Sequence, residues 1–137
     1  MIAVDTGPLV ALCDPRDRRH ANAVTHLTRL ASAGLRVCEA VLVETCFHLP
    51  LLAQRHRLRA LLTELRIDEL PTEGPDFRAE VLAWLIKYGE HEPDWADGCL
   101  AVLCGRDPTL KVWTYDREFR TTWRRPDGRA IPMAVRE

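Results

Sequence analysis

The chain has 137 residues, 47% hydrophobic and 28% charged, with Lys+Arg 19 nearly matched by Asp+Glu 20. That is enough chain for one domain with a real core and too little for two ordinary ones. The composition excludes wholesale disorder, and the near-zero net charge excludes a broadly basic nucleic-acid binder while leaving room for a local basic patch. Five cysteines, Cys13, Cys38, Cys46, Cys99 and Cys104, form no CxxC pair and no zinc-type spacing with histidine. They read as buried thiols of a reducing compartment. No apolar run approaches the ~20 residues that span a bilayer. Met1-Ile2-Ala3-Val4 runs into Asp5 without a basic segment, so the expectation is a cytoplasmic protein with no membrane association.

In chain order, the apolar start is a short strand that stops at Asp5. Thr6 or Gly7 then caps a helix with Pro8 at its first position. Asp17 is positioned to cap a second helix through about Ala33, closed by Gly34, and Leu35 to Cys38 forms a second strand. A helix over Ala40 to Phe47 runs towards Pro50, which breaks it, and another covers about His56 to Arg66. Ile67 to Leu70 is a weak strand; Phe77, Val81, Trp84, Leu85 and Tyr88 mark an amphipathic helix ended by Gly89. A helix from Asp94 to Cys104, a strand from Lys111 to Tyr115 and an edge strand from Ile131 to Val135 complete the chain. Strands alternating with helices predict an α/β fold with a mainly parallel sheet covered on both faces, in one domain over residues 1–137.

Four acidic residues fall where such a fold builds its sites. Asp5 and Asp116 end strands, Glu44 interrupts an apolar helix, and Asp97 lies in the first turn of the helix after a crossover. Ligands of open α/β sheets bind beyond the carboxyl ends of the strands. Converging carboxylates repel unless one keeps a proton or a cation joins them. An all-oxygen set without His or Cys suits Mg²⁺ or Mn²⁺ and not zinc. Such an ion activates water and stabilises a leaving oxygen, which is the chemistry of phosphodiester hydrolysis. Asp94 and Asp97 also have the spacing of a capping box. Asp97 is therefore expected as a metal ligand, and Asp94 as a cap that at most reaches the ion through water.

Here a resemblance becomes specific. Val4-Asp5-Thr6-Gly7-Pro8-Leu9-Val10-Ala11-Leu12 resembles the opening of the PIN-domain nucleases, notably VapC-type toxin ribonucleases. Val43-Glu44, Pro93-Asp94-Trp95-Ala96-Asp97-Gly98-Cys99-Leu100 and Thr114-Tyr115-Asp116-Arg117-Glu118-Phe119 resemble that family's later acidic segments, in the same order. The resemblance implies a three-layer α/β/α sandwich and an acidic Mg²⁺ or Mn²⁺ site at Asp5, Glu44, Asp97 and Asp116. It also implies an endoribonuclease, the toxin of a type II toxin–antitoxin pair with a cognate antitoxin, and a homodimer. Gly98 departs from the family's usual small helix-former at a propensity cost of ~1 kcal/mol, and Trp95 is larger than usual.

Of the 19 basic residues, Lys87 and Lys111 are the lysines and the rest are arginines, whose planar fork suits phosphate. Arg117, Arg120, Arg124 and Arg125, with Arg129 beyond, follow Asp116 and offer a path for an RNA backbone. Trp123 stands among them as a stacking surface. Arg16, Arg18 and Arg19 form a second candidate patch. The rival readings are an RNA-processing nuclease without a toxin role and a non-catalytic regulatory or binding domain with an acidic pocket. A receiver-like domain would place a lysine at the end of a late strand, whereas Lys111 begins one.

Overall fold

Ile2, Ala3 and Val4 form β1 (Ile2–Val4) with every residue buried, as a strand covered on both faces requires. A computed structural model describes residues 1–136. After β1 come α1 (Thr6–Cys13), α2 (His20–Leu30), β2 (Leu35–Val37), α3 (Glu39–His48), α4 (Leu52–Glu64) and β3 (Asp68–Glu69). Then follow α5 (Pro75–Lys87), α6 (Trp95–Arg106), β4 (Lys111–Trp113) and α7 (Glu118–Thr121).

The sheet is parallel throughout, in the order β3-β2-β1-β4, with Ile2 opposite Leu35 on one side and Val4 opposite Trp113 on the other. From β1 the chain steps through β2 to β3 and then returns across the sheet to β4. Right-handed crossovers put α1 to α4 on one face and α5 and α6 on the other, the predicted three-layer α/β/α arrangement. One continuous core joins Val4, Val37, Val112 and Trp113 of the sheet to Leu9, Val41, Val81, Trp84 and Leu100 of the helices. Among the described residues, no helix is long and apolar enough to cross a membrane.

Local chemistry shifts several boundaries. The α1 N-cap is Asp5 and not Thr6 or Gly7, so Pro8 is the third helical residue and not the first. Its missing N–H costs nothing there, because the first-turn amides have no intrahelical partner. Asp17 accepts from the Arg19 amide at 2.8 Å in a turn of its own, and α2 begins only at His20. α4 starts four residues before His56, where the Gln54 side chain accepts the Leu51 amide at 3.0 Å. The predicted edge strand over Ile131 to Val135 is reduced to one parallel bridge between Val112 and Met133. Pro132 contributes a carbonyl to the Val112 amide and has no N–H with which to extend a ladder.

Gly98 has a packing reason. A Cβ there would lie 2.9 Å from Cγ1 of Val81 and 3.4 Å from side-chain atoms of Leu85 and Trp84. The absent side chain lets α6 lie close against α5.

Candidate active site

The chain leaves β1 towards β2 on one side and arrives at β4 on the other, so the order reverses at β1. Such a reversal opens a crevice at the carboxyl ends of the strands. Asp5 sits at its floor, its amide bonded to the Trp113 carbonyl at 2.9 Å. The crevice is a cleft of about 410 Å³, and Asp5, Glu44, Asp94, Asp97 and Asp116 all line it. α3 packs against α6, which brings Glu44 to the amino end of the helix carrying Asp97.

Asp5 is 8% exposed and, although it is the α1 N-cap residue, its side chain makes no capping bond. The carboxylate instead accepts the Thr114 hydroxyl at 2.6 Å, across 109 positions of sequence. Thr114 Oγ1 in turn accepts the Asp116 amide at 3.0 Å. One short segment after β4 therefore both anchors Asp5 and delivers Asp116 to the rim. Asp116 is exposed, with Oδ1 accepting the Glu118 amide at 3.0 Å.

Asp94 and Asp97 form the predicted capping box. The Asp97 amide donates to Asp94 Oδ1 at 2.8 Å and the Asp94 amide to Asp97 Oδ2 at 3.1 Å. Each bond occupies one oxygen of its carboxylate, so capping does not withdraw either residue from the cleft.

The electrostatics show a site short of positive charge. Burial is the largest effect at three carboxyls. It pushes Asp5 up to about 6, opposed by the Thr114 hydroxyl and the Thr6 amide and reinforced by Asp94 and Asp116. Glu44 is pushed up to about 7 by burial and then by Asp94 and Asp5. Asp97 is pushed up to about 8 by burial and then by Asp94, with Asp5 adding to it. The Thr6 hydroxyl is buried without a hydrogen bond of good geometry, though it lies close enough to Glu44 to favour its ionised form.

A divalent cation fits this set. Its donors are oxygens, an unpartnered hydroxyl stands beside them, and the carboxyls resist ionising together for want of a countercharge. Among the described residues, no three His, Cys, Asp or Glu side chains form a ready-made coordination cluster. Binding an ion would therefore draw these side chains inward.

The basic residues distribute differently from the predicted path. Trp123 is 1% exposed and packs edge-on to Trp84, Tyr88 and His91, so it is a core residue and offers no face to a base. A contiguous run of arginines suggested a surface, but the tryptophan within it follows the apolar core. Arg124 is half-buried, its guanidinium turned to the carbonyls of Arg120 and Trp123, and Arg120 donates to the Arg136 carbonyl. Arg125 is half-buried with its Nε unpartnered. Arg117 is exposed beside the cleft, and Arg18 and Arg19 of the second patch line the cleft itself.

Tyr115 and His48 also line it, and the sequence reading singled out neither for the site. Tyr115 lies between the Thr and Asp of the last acidic segment, the one signal that pointed to it. Its hydroxyl meets His26 Nδ1 at 2.7 Å.

The comparisons agree with this architecture. The PIN domain family matches over residues 2–123. No curated protein matches the chain significantly in sequence. Among solved structures, the chain is similar to Mycobacterium tuberculosis VapC20, described as a Sarcin-Ricin loop cleaving toxin. That match has 21% identity and a TM-score of 0.69, covering 88% of this chain and 94% of that one. It is also similar to PAE2754 from Pyrobaculum aerophilum, with 19% identity and a TM-score of 0.54, covering 93% of this chain and 86% of that one. At these identities the likenesses concern the fold, while the family match spans most of the sequence: the chain belongs to the PIN-domain family.

Proposed function

We propose that the protein is a Mg²⁺- or Mn²⁺-dependent endoribonuclease, the toxin of a type II toxin–antitoxin pair. Membership of the PIN-domain family supports a nuclease. The likeness to VapC20, a toxin that cleaves an RNA loop, favours RNA and the toxin role. A cognate antitoxin, a homodimer and a cytoplasmic location belong to the same proposal. The observation that carries it is the convergence of Asp5, Glu44, Asp94, Asp97 and Asp116 in one cleft, the most buried of them bonded to Thr114 and not spent on its helix cap.

Asp5, Glu44 and Asp97 would hold the ion, with Asp116 completing the pocket and Asp94 reaching it through water. Bound there, the ion would supply Lewis acidity, making water a better nucleophile and stabilising the oxygen that leaves phosphorus. The chain's own residues do the rest. Thr114 fixes one Asp5 oxygen and so sets the orientation of a carboxylate that lines the cleft. The shared capping box holds Asp94 and Asp97 at a fixed spacing on the α6 terminus. Arg18 and Arg19, which also line the cleft, supply positive charge for a polyanionic substrate. A receiver-like reading is disfavoured, since Lys111 is exposed at the start of β4 and does not line the cleft.

The test is cleavage of a panel of structured and single-stranded RNAs, and of matching DNA, in Mg²⁺, Mn²⁺ or EDTA, beside an Asp5→Asn/Asp97→Asn control. The proposal expects metal-dependent cleavage of RNA that the folded control lacks. Cleavage that persists in EDTA or in the control would overturn it.

A further inference from the structure

A second cavity of about 350 Å³ adjoins the acidic cleft, lined by Arg18, Arg19, Asn22, Tyr115 and Arg117. Arg18, Arg19 and Tyr115 line both, so the two spaces share a wall. No carboxylate lines the second cavity, in contrast to the six in the first. Among the described residues, none of its three guanidinium groups has a carboxylate within salt-bridge distance.

One of the three is held in place. Arg19 is half-buried, donates from Nη1 to the Tyr115 carbonyl at 3.3 Å and lies over the Tyr115 ring with its carbon 5.0 Å from the centroid. Two contacts thus fix the plane of the group, whereas Arg18 and Arg117 are exposed and free to close on a ligand. Tyr115 is itself fixed by the His26 contact at 2.7 Å and belongs to the segment that places Thr114 and Asp116. Arg19 is therefore registered to the acidic cleft by a single backbone unit.

We infer that this cavity is a phosphate subsite, in which Arg18, Arg19 and Arg117 bind a backbone phosphate of RNA next to the one held in the acidic cleft. The chemistry matches on both sides. Guanidinium forks pair with phosphate oxygens in two parallel bonds, and the Asn22 amide adds a neutral donor. The subsite gives the substrate a direction, since one phosphate faces cation-seeking carboxylates and its neighbour faces arginines. The inference rests on the proposed nuclease function.

The test compares the wild type with Arg18→Ala/Arg117→Ala, leaving Arg19 in place because its removal would disturb the Tyr115 segment. An Arg29→Ala/Arg59→Ala variant, at exposed positions that line neither cavity, is the control. Cleavage kinetics are measured on a short single-stranded RNA, and binding by anisotropy in an Asp5→Asn background over a range of salt. The expected result is a severalfold higher KM with kcat held, and a salt slope lower by up to ~0.7, the value for one phosphate contact on a single strand. A neutral methylphosphonate walked along the strand should weaken binding to Arg18/Arg117-intact protein at one position, and that sensitivity should shrink in the double variant, which keeps only Arg19. An unchanged KM and slope, or a loss confined to kcat, would overturn the subsite while the nuclease reading stands. If the wild type neither cleaves nor binds RNA, the proposed function falls and the subsite with it.

Discussion

Replacing Asp5 with Asn should make the metal-free protein more stable while removing its response to metal. Asp5 is 8% exposed, and its carboxyl is raised from 3.8 to about 6, chiefly by burial. Two pKa units correspond to ~3 kcal/mol at 1.36 kcal/mol per unit. The sign follows from proton binding. Below the unfolded pKa the carboxyl is protonated in both states and contributes no difference. As pH rises towards 6 the unfolded chain releases its proton first, and the wild type loses stability. Above that the loss is complete. An asparagine never ionises, and its carbonyl can still accept the Thr114 hydroxyl. Its amide hydrogens need partners in a buried place, which returns ~1 kcal/mol. The net expectation at pH 8 in EDTA is a gain of ~2 kcal/mol, roughly 8 °C in Tm for a domain of this size. Saturating Mn²⁺ reverses the order, because only the wild type gains, by about 2.7 kcal/mol at a hundredfold excess over Kd. Thermal unfolding at pH 4 and pH 8, with EDTA or Mn²⁺, reads all four conditions. An Asp5→Asn protein less stable than the wild type at pH 8 in EDTA would refute the reasoning.

Three further outcomes follow from the same geometry. Thr114→Val removes the hydroxyl that favours ionised Asp5, so its pKa should climb further and the pH profile of metal-dependent cleavage should move to higher pH; Thr114→Ser should restore it. Because burial and neighbouring carboxylates push Glu44 up to about 7 and Asp97 up to about 8, metal binding should displace protons. Calorimetry in buffers of different ionisation enthalpy should detect that release, and apparent affinity should fall as pH drops from 8 to 6. Gly98→Ala gains ~1 kcal/mol of helix propensity but forces a methyl against Val81, and overpacking of 1–3 kcal/mol should leave it less stable in chemical denaturation.

Sequence reading reached the places of the acidic residues because position and context both marked them. Asp5 closes a buried strand, and Glu44 interrupts an apolar helix. Asp94 and Asp97 announce a helix terminus by their spacing. These are local signals, and the fold's alternation of strands and helices carries them to one edge. What escaped was long-range or competitive. The position of Thr114 after its strand marks its hydroxyl as one that orients an acidic ligand or a water, or serves local capping or packing, and nothing near it in sequence reveals that the partner is Asp5, 109 residues away. The arginines after Asp116 look like one surface, yet Trp123 among them packs on Trp84 and turns that segment inward. The shorter run of Arg18 and Arg19 lies in a turn whose position depends on how α2 meets Tyr115. The edge strand at Ile131 to Val135 was overdrawn because hydrophobicity suggests a strand even where Pro132 cannot sustain a ladder.

The most direct test of the metal centre is anomalous scattering from crystals of the wild-type protein soaked in Mn²⁺. The account predicts a peak in the cleft within coordinating distance of Asp5, Glu44 and Asp97, with the three side chains drawn inward and the Asp5 contact to Thr114 retained. A peak on other residues, or an empty cleft at a Mn²⁺ concentration that supports cleavage, would contradict it.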